Sequence, residues 1–161
     1  MSPTDCSAAL RSYPRRYRAV IAPIADDENV DEIAQRPGPD GRSALEHVEH
    51  STRDIALLGA ALHDVLVKDD ATLDASVLDD NTRGPSGRSN DSVEAALDQL
   101  QNECELLAKT IDRVDGDAWA RKATVKGGRT VTALDISREA VRAGAEHLRA
   151  AERAVAAARR G

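Results

Sequence analysis

The stretch PGPDGRSALEHVEHSTRDIALLGAALHDVLV, residues 37–67, decides the fold. Its first six residues are turn chemistry, with two prolines that cannot continue a helix and two glycines that tolerate unusual backbone angles. SALE follows. Ser43 can accept from the amide three residues on while Glu46 reaches back to the cap amide, the reciprocal pattern of a capping box. Leu45, Val48, Thr52, Ile55, Gly59, Leu62 and Leu66 then form one seam at three- and four-residue steps. That spacing predicts a helix over 44–67.

Three further segments share the rhythm. Leu10, Tyr13, Tyr17, Val20 and Ile24 mark a first helix. An interior proline costs about 3 kcal/mol, so Pro14 predicts either a start near that residue or a kink there, and Pro23 helps to end the helix. A third helix is expected from Asp91, with Glu94 placed for another box and a stripe of Val93, Leu97, Leu100, Cys104, Leu107, Ile111 and Val114. The fourth is capped by Thr130 or Thr132, and its seam is Leu134, Ser137, Val141, Gly144, Leu148, Ala151 and Val155. Arg159 and Arg160 suit the negative end of its dipole.

Residues 68–91 keep no period and read as a long crossover between helices two and three, with one short helical turn near 73–78. Two neighbouring helices that run the same way require such a link. Between Trp119 and Thr132, Gly127-Gly128 flanked by Thr-Val pairs predicts a two-residue hairpin that must lean on the helices, being too short to stand alone. KGGR lacks the spacing of a phosphate loop. The expected architecture is all-α: a four-helix bundle, one domain over 1–161, with a long crossover and a short extended or hairpin excursion before helix four.

Composition narrows the function classes. With no Phe, one Trp and two Tyr, the core must be aliphatic. A net charge of −6 argues against a nucleic-acid partner, which demands a basic surface; Arg11, Arg15, Arg16 and Arg18 read as a solvated face. Cys6 and Cys104 form no CxxC, and such sparse use fits a reducing compartment. MSPTDCSAAL has no signal-peptide character, and IALLGAAL at 55–62 is far short of the ~20 residues of a membrane span. The expectation is a cytoplasmic chain without a membrane partner.

The histidines are the chemical question. His47 and His50 stand i, i+3; Glu46 and His50 stand i, i+4; Glu146 and His147 lie on helix four, and His63 is too far along helix two to join. Such a nitrogen and oxygen set suits zinc, nickel or iron. Yet at 100° per residue His50 lies about 160° from its seam, Glu146 points nearly opposite the seam of helix four, and His147 sits on its flank. This predicts solvated helix faces, or a site in an external cleft or subunit interface. Ala140, Ala143, Ala150 and Ala154 would place small residues on an outer face of helix four, where helix propensity accounts for them or another helix approaches.

Four stretches together resemble the DinB-like (YfiT-like) superfamily, in its actinobacterial branch of mycothiol-dependent maleylpyruvate isomerases and thiol S-transferases. LRSYPRRYRAVI is similar to the family's first helix and RPGPDGRSALEHVEHSTRD to the segment preceding its helix-two histidine. DGDAWARKATV resembles the loop after helix three, and LDISREAVRAGAEHLRAAE the helix-four pattern HxxxHH before leucine. The resemblance covers nearly the whole chain. It implies a four-helix bundle, commonly a homodimer, in which three histidines hold a divalent metal that activates a small thiol or the water and substrate beside it.

Residue by residue, His50 matches the helix-two histidine, Arg142 and Glu146 stand where the helix-four pair is expected, and His147 matches the histidine that follows. Arginine cannot ligate a cation; Arg142 and Glu146 are placed instead for an ion pair. Arg42 stands where the family usually has tryptophan. The three-histidine site is thus degenerate, which leaves open a remodelled site of His50, Glu146 and His147 holding zinc or nickel, with a small-molecule substrate and mycothiol as co-substrate, a metal-free enzyme, or a member that kept the fold and lost the chemistry. The alternative is a non-enzymatic bundle acting by dimerisation or partner binding.

Overall fold

The structure is a computed structural model and describes residues 1–80, 83, 90 and 92–161. Four long helices form the bundle: α1 (Pro3–Ile21), α3 (Ala44–Val67), α4 (Val93–Asp112) and α5 (Ala133–Arg160). A short helix, α2 (Val30–Gln35), follows α1. Three short strands, β1 (Thr72–Leu73), β2 (Lys122–Val125) and β3 (Arg129–Thr132), form a sheet at one end.

The helix starts follow their caps. Ser43 and Glu46 make the expected box, Thr132 and Asp135 make another, and Ser2 with Asp5 a third that opens α1 at Pro3. Proline is favourable in a first turn, where its missing N–H has no partner to lose. α1 then continues through Pro14, so the helix neither starts nor stops there. Tertiary contacts offset the lost bond: Tyr13 and Tyr17 are buried, and their hydroxyls donate to the carbonyls of Val141 and Gly144 at 2.5 and 2.6 Å. α4 is capped by Ser92; the expected start at Asp91 lies outside the described residues. Asp31 of α2 also accepts from the Val93 amide at 2.8 Å.

The chain directions can be read from contacts. Arg11 meets Glu105 and Asp112 while Arg18 meets Glu94, so α1 and α4 are antiparallel. Arg121, just past α4, donates to the carbonyls of Val65 and Lys68 at the end of α3, so α3 and α4 run the same way, as a long crossover requires. α1 and α5 run opposite to that pair, since Met1 lies against Arg138 and Ala22 against Arg159. α5 packs between α1 and α3.

The excursion before α5 is a β2–β3 hairpin, but its loop has three residues, Lys126–Gly128, because Val125 pairs with Arg129. Both glycines adopt positive φ. The hairpin is completed by β1 from the crossover, paired parallel to β2, and a 3₁₀ turn at Ala75–Val77 matches the expected helical turn. Among the described residues no helix is long and apolar enough to cross a membrane.

Two expectations about helix faces are corrected. Ala140, Ala143, Ala150 and Ala154 are buried, not on an outer face. α5 buries one flank on α1 and a second on α3, so its covered stripe is wider than one seam. The same holds for α3, whose polar flank of His47, His50 and Asp54 is buried along with its apolar seam. The solvated reading of His50 and His147 therefore fails.

Candidate metal centre

On α3, His47, His50 and Asp54 stand at i, i+3 and i+7 and share one helical face. That face meets α5 at His147. The ring centroids of His47 and His50 lie 5.4 and 5.7 Å from that of His147. All three histidines are buried, and Asp54 is 0% exposed. His63 is exposed and outside the group.

Each outer end of this group is held by a carboxylate. Asp40 sits in the PGPDGR turn, where one oxygen accepts the Arg42 amide at 3.0 Å and the other the His47 Nε2 at 2.8 Å. Gly38 lets the turn lie against α5, since a Cβ there would come 2.7 Å from the Ala154 backbone. At the other end, His147 Nε2 lies 3.1 Å from Asp54 Oδ2. A carboxylate can only accept, so both Nε2 atoms carry hydrogens. The two Nδ1 atoms then face each other at 3.1 Å. In neutral rings both would present lone pairs.

The electrostatics keep Asp54 anionic. Burial alone would raise its pKa, but hydrogen bonds from His147 and Arg53 and the charges of Arg53 and Arg83 hold it below the usual carboxylate range. His47 is pushed down by burial against the opposing pull of Asp40. His50 is pushed down to about 4, first by burial and then by the positive charges of Arg53 and Arg42. Both histidines therefore favour the neutral form, the state that ligates metals.

Arg83 of the crossover enters this group with a side chain 0% exposed. Its Nε donates to the Ser76 carbonyl at 2.7 Å, and its two Nη atoms reach the Val77 carbonyl, Asp54, Asp80 and Glu139. A guanidinium has five N–H donors and all are used here, which is the condition for burying it. Arg142 shares Asp80 and Glu139 with Arg83, and pairs with Glu146 as its i, i+4 spacing suggested.

The expected metal set of His50, Glu146 and His147 is only partly assembled. Glu146 is held by Arg142 on the outer surface, with its side chain 58% exposed, and does not reach the histidines. His50 and His147 are neighbours, but their planes lie within 21° of parallel. Lone pairs lie in the ring plane, so two stacked rings do not converge on one ion. Ala143, one turn before His147, offers no donor. Among the described residues, no group of three or more His, Cys, Asp or Glu is placed to hold a metal. Two nitrogens are a different matter. With the Nδ1 atoms 3.1 Å apart, a cation at about 2.0–2.1 Å from each would sit to one side of the line between them, and a carboxylate on the far nitrogen of a ligating histidine is the usual support.

No protein-family model and no curated protein matches the sequence. Among solved structures, the fold is similar to that of YfiT from Bacillus subtilis, described as a probable metal-dependent hydrolase with an unusual four-helix bundle topology. The two agree with a TM-score of 0.73 over 92% of this chain and 84% of YfiT, at 12% identity. The fold is thus a YfiT-like four-helix bundle, as the helix stripes predict.

Proposed function

We propose that this chain is a metal-assisted enzyme acting on a small molecule, with a divalent cation such as zinc or nickel held by His47 and His147 through Nδ1. One observation carries the proposal: two buried imidazole nitrogens face each other while both far nitrogens are committed to carboxylates. A cation between them removes the conflict of lone pairs. YfiT, described as probably metal-dependent, shares the fold and lends support.

The chain's own residues do the positioning. Asp40 and Asp54 fix the tautomers of the two ligands, and Arg53 and Arg83 keep Asp54 charged. His50 stands beside the ligand pair, where it can meet a substrate. A bound metal would supply Lewis acidity, lowering the pKa of a thiol or water at its open positions. The protein offers no thiol of its own: Cys6 and Cys104 are buried, and burial pushes the Cys104 thiol up to about 12. A thiol reaction here therefore requires an external low-molecular-weight thiol, and the resemblance implies one of mycothiol type, in a homodimer.

Metal content by mass spectrometry, on untagged protein purified without chelator, tests the proposal. Near-stoichiometric metal in the wild type that is lost in His47→Ala and His147→Ala supports it; thiol-transfer and hydrolysis assays then follow. No metal after incubation with zinc and nickel salts overturns it, and the Nδ1 contact is then a shared proton.

A further inference from the structure

Beside the ligand pair, two buried nitrogens have no hydrogen-bond partner: His50 Nδ1 and Arg53 Nη1, the pair of such side-chain atoms found among the described residues. They are three residues apart on α3, so they lie on one face of that helix. The rest of the Arg53 fork is committed, because Nε and Nη2 both donate to Asp54 Oδ1, at 3.0 and 2.7 Å. That bidentate grip fixes the guanidinium plane and leaves Nη1 as its free edge.

Arginine nitrogens can only donate, and a histidine nitrogen donates in one of its tautomers. The partner missing at this place is therefore an acceptor. Leaving a buried charged donor unmade is costly, and such orphans in a native fold call for a ligand, a water or a catalytic role. The local charge selects the sign: Arg53 brings a fixed guanidinium to the place, while the nearby carboxylates are already spent. Asp54 is taken by Arg53, Arg83 and His147, and Glu49 by the amide and side chain of Asn90. The Arg53 side chain is 16% exposed, so the patch reaches the surface at its edge.

We propose that Arg53 Nη1 and His50 Nδ1 together bind a small oxyanion, the carboxylate or phosphate group of the molecule the histidine centre acts on. The substrate class is then an anion, oriented by a fixed guanidinium edge next to the proposed cation. This rests on the reading of the histidine group as a small-molecule centre, but its test needs no metal.

Chelator-treated protein is titrated calorimetrically with succinate, with inorganic phosphate and with neutral succinamide. Saturable binding of one anion and none of succinamide is expected, with the anion that binds naming the source. Arg53→Gln removes a charge-assisted bond, so the Kd rises about tenfold or more. As a check that does not depend on a variant's folding, the His50 imidazole ¹⁵N signals of the wild type shift as the anion is added. Equal response to succinamide, no shift with either anion, or an unchanged Kd in folded Arg53→Gln overturns the proposal; water then fills the place. Anion binding without metal uptake would instead defeat the metal reading alone.

Discussion

His47 and His147 come from helices that are neighbours in space and 100 residues apart in sequence, and their Nδ1 atoms stand 3.1 Å apart between Asp40 and Asp54. A line of four side chains, carboxylate to imidazole to imidazole to carboxylate, thus crosses from the turn before α3 to α5 and back to α3. Most of the polar chemistry of the bundle interior is organised around it.

Asp54 is the member of that line with most to lose. It answers His147, Arg53 and Arg83 at once from a fully buried position. Asp54→Asn keeps the shape but removes the charge, leaving Arg83 buried with one fewer counter-ion. Breaking a buried pair from one side costs about 3–5 kcal/mol. A chemical denaturation series should show a loss of that order, and metal uptake, where the wild type has it, should weaken with it. A loss under about 1 kcal/mol would mean that Asp80 and Glu139 satisfy Arg83 by themselves.

The sequence made the starts of α3 and α5 legible because each begins at a cap whose chemistry is local, whereas α1, capped by Ser2, shows only as a stripe. Ser43 with Glu46 and Thr132 with an acidic residue three positions on need nothing distant to work. The site was legible only in part. His50 and His147 are named by type and by the family pattern, but angular distance from a single seam sent them outward. A helix flanked by two neighbours has two covered faces, and one seam cannot reveal the second. Asp54 carried a usable signal, since it extends the His47–His50 spacing along the same face. Asp40 and Arg83 carried none: a turn and a crossover place them, and both contacts are tertiary. Pro14 misled for a related reason, because the cost of a helical proline was offset by tyrosine contacts with α5.

The pH dependence of stability follows from His50. Its folded pKa, about 4, lies below the ordinary value of 6.5. Above 6.5 the ring is neutral in both states and the fold keeps its full stability. Between 6.5 and about 4 the unfolded chain takes the proton more readily, so stability falls as pH falls. One unit is worth about 1.4 kcal/mol, giving a ceiling near 3 kcal/mol. Asp54, also held low in the fold, adds loss of the same sign at lower pH. Melting of chelated protein from pH 7 to pH 4 should show this decline, and His50→Leu, which cannot titrate, should shrink the part above pH 4, leaving the share of the same sign that His47, also held low, contributes.

Arg83 and Arg11 separate buried from exposed ion pairs. Arg83 has no exposed side-chain surface and meets three carboxylates, whereas Arg11 meets Glu105 and Asp112 at 38% exposure. Arg83→Ala takes the buried cation away from Asp54, Asp80 and Glu139, which keep only Arg53, His147 and Arg142, and should cost several kcal/mol. Arg11→Ala should cost far less, and less still in high salt. Equal losses in the two variants would show that the Arg83 cluster contributes no more than a surface pair.

Two helical glycines should respond oppositely to alanine. At Gly144 on α5, an added Cβ would come 2.5 Å from Tyr13 Cε2 and 2.9 Å from its Cδ2, while Tyr17 donates to the Gly144 carbonyl. α1 can lie this close to α5 because the side chain is absent. Tyr13 is buried and cannot move aside, so Gly144→Ala should destabilise by roughly 1–3 kcal/mol as overpacking. At Gly59 on α3 the same Cβ would meet Leu107 Cδ1 at 3.7 Å, an ordinary contact. There alanine mainly restricts the unfolded chain, so Gly59→Ala should stabilise by about 0.5–1 kcal/mol. Thermal melts of the two variants give the comparison directly. A neutral Gly144→Ala would show that α1 shifts away from α5 freely, and the tyrosine contacts that carry α1 through Pro14 would then be weaker than their distances imply.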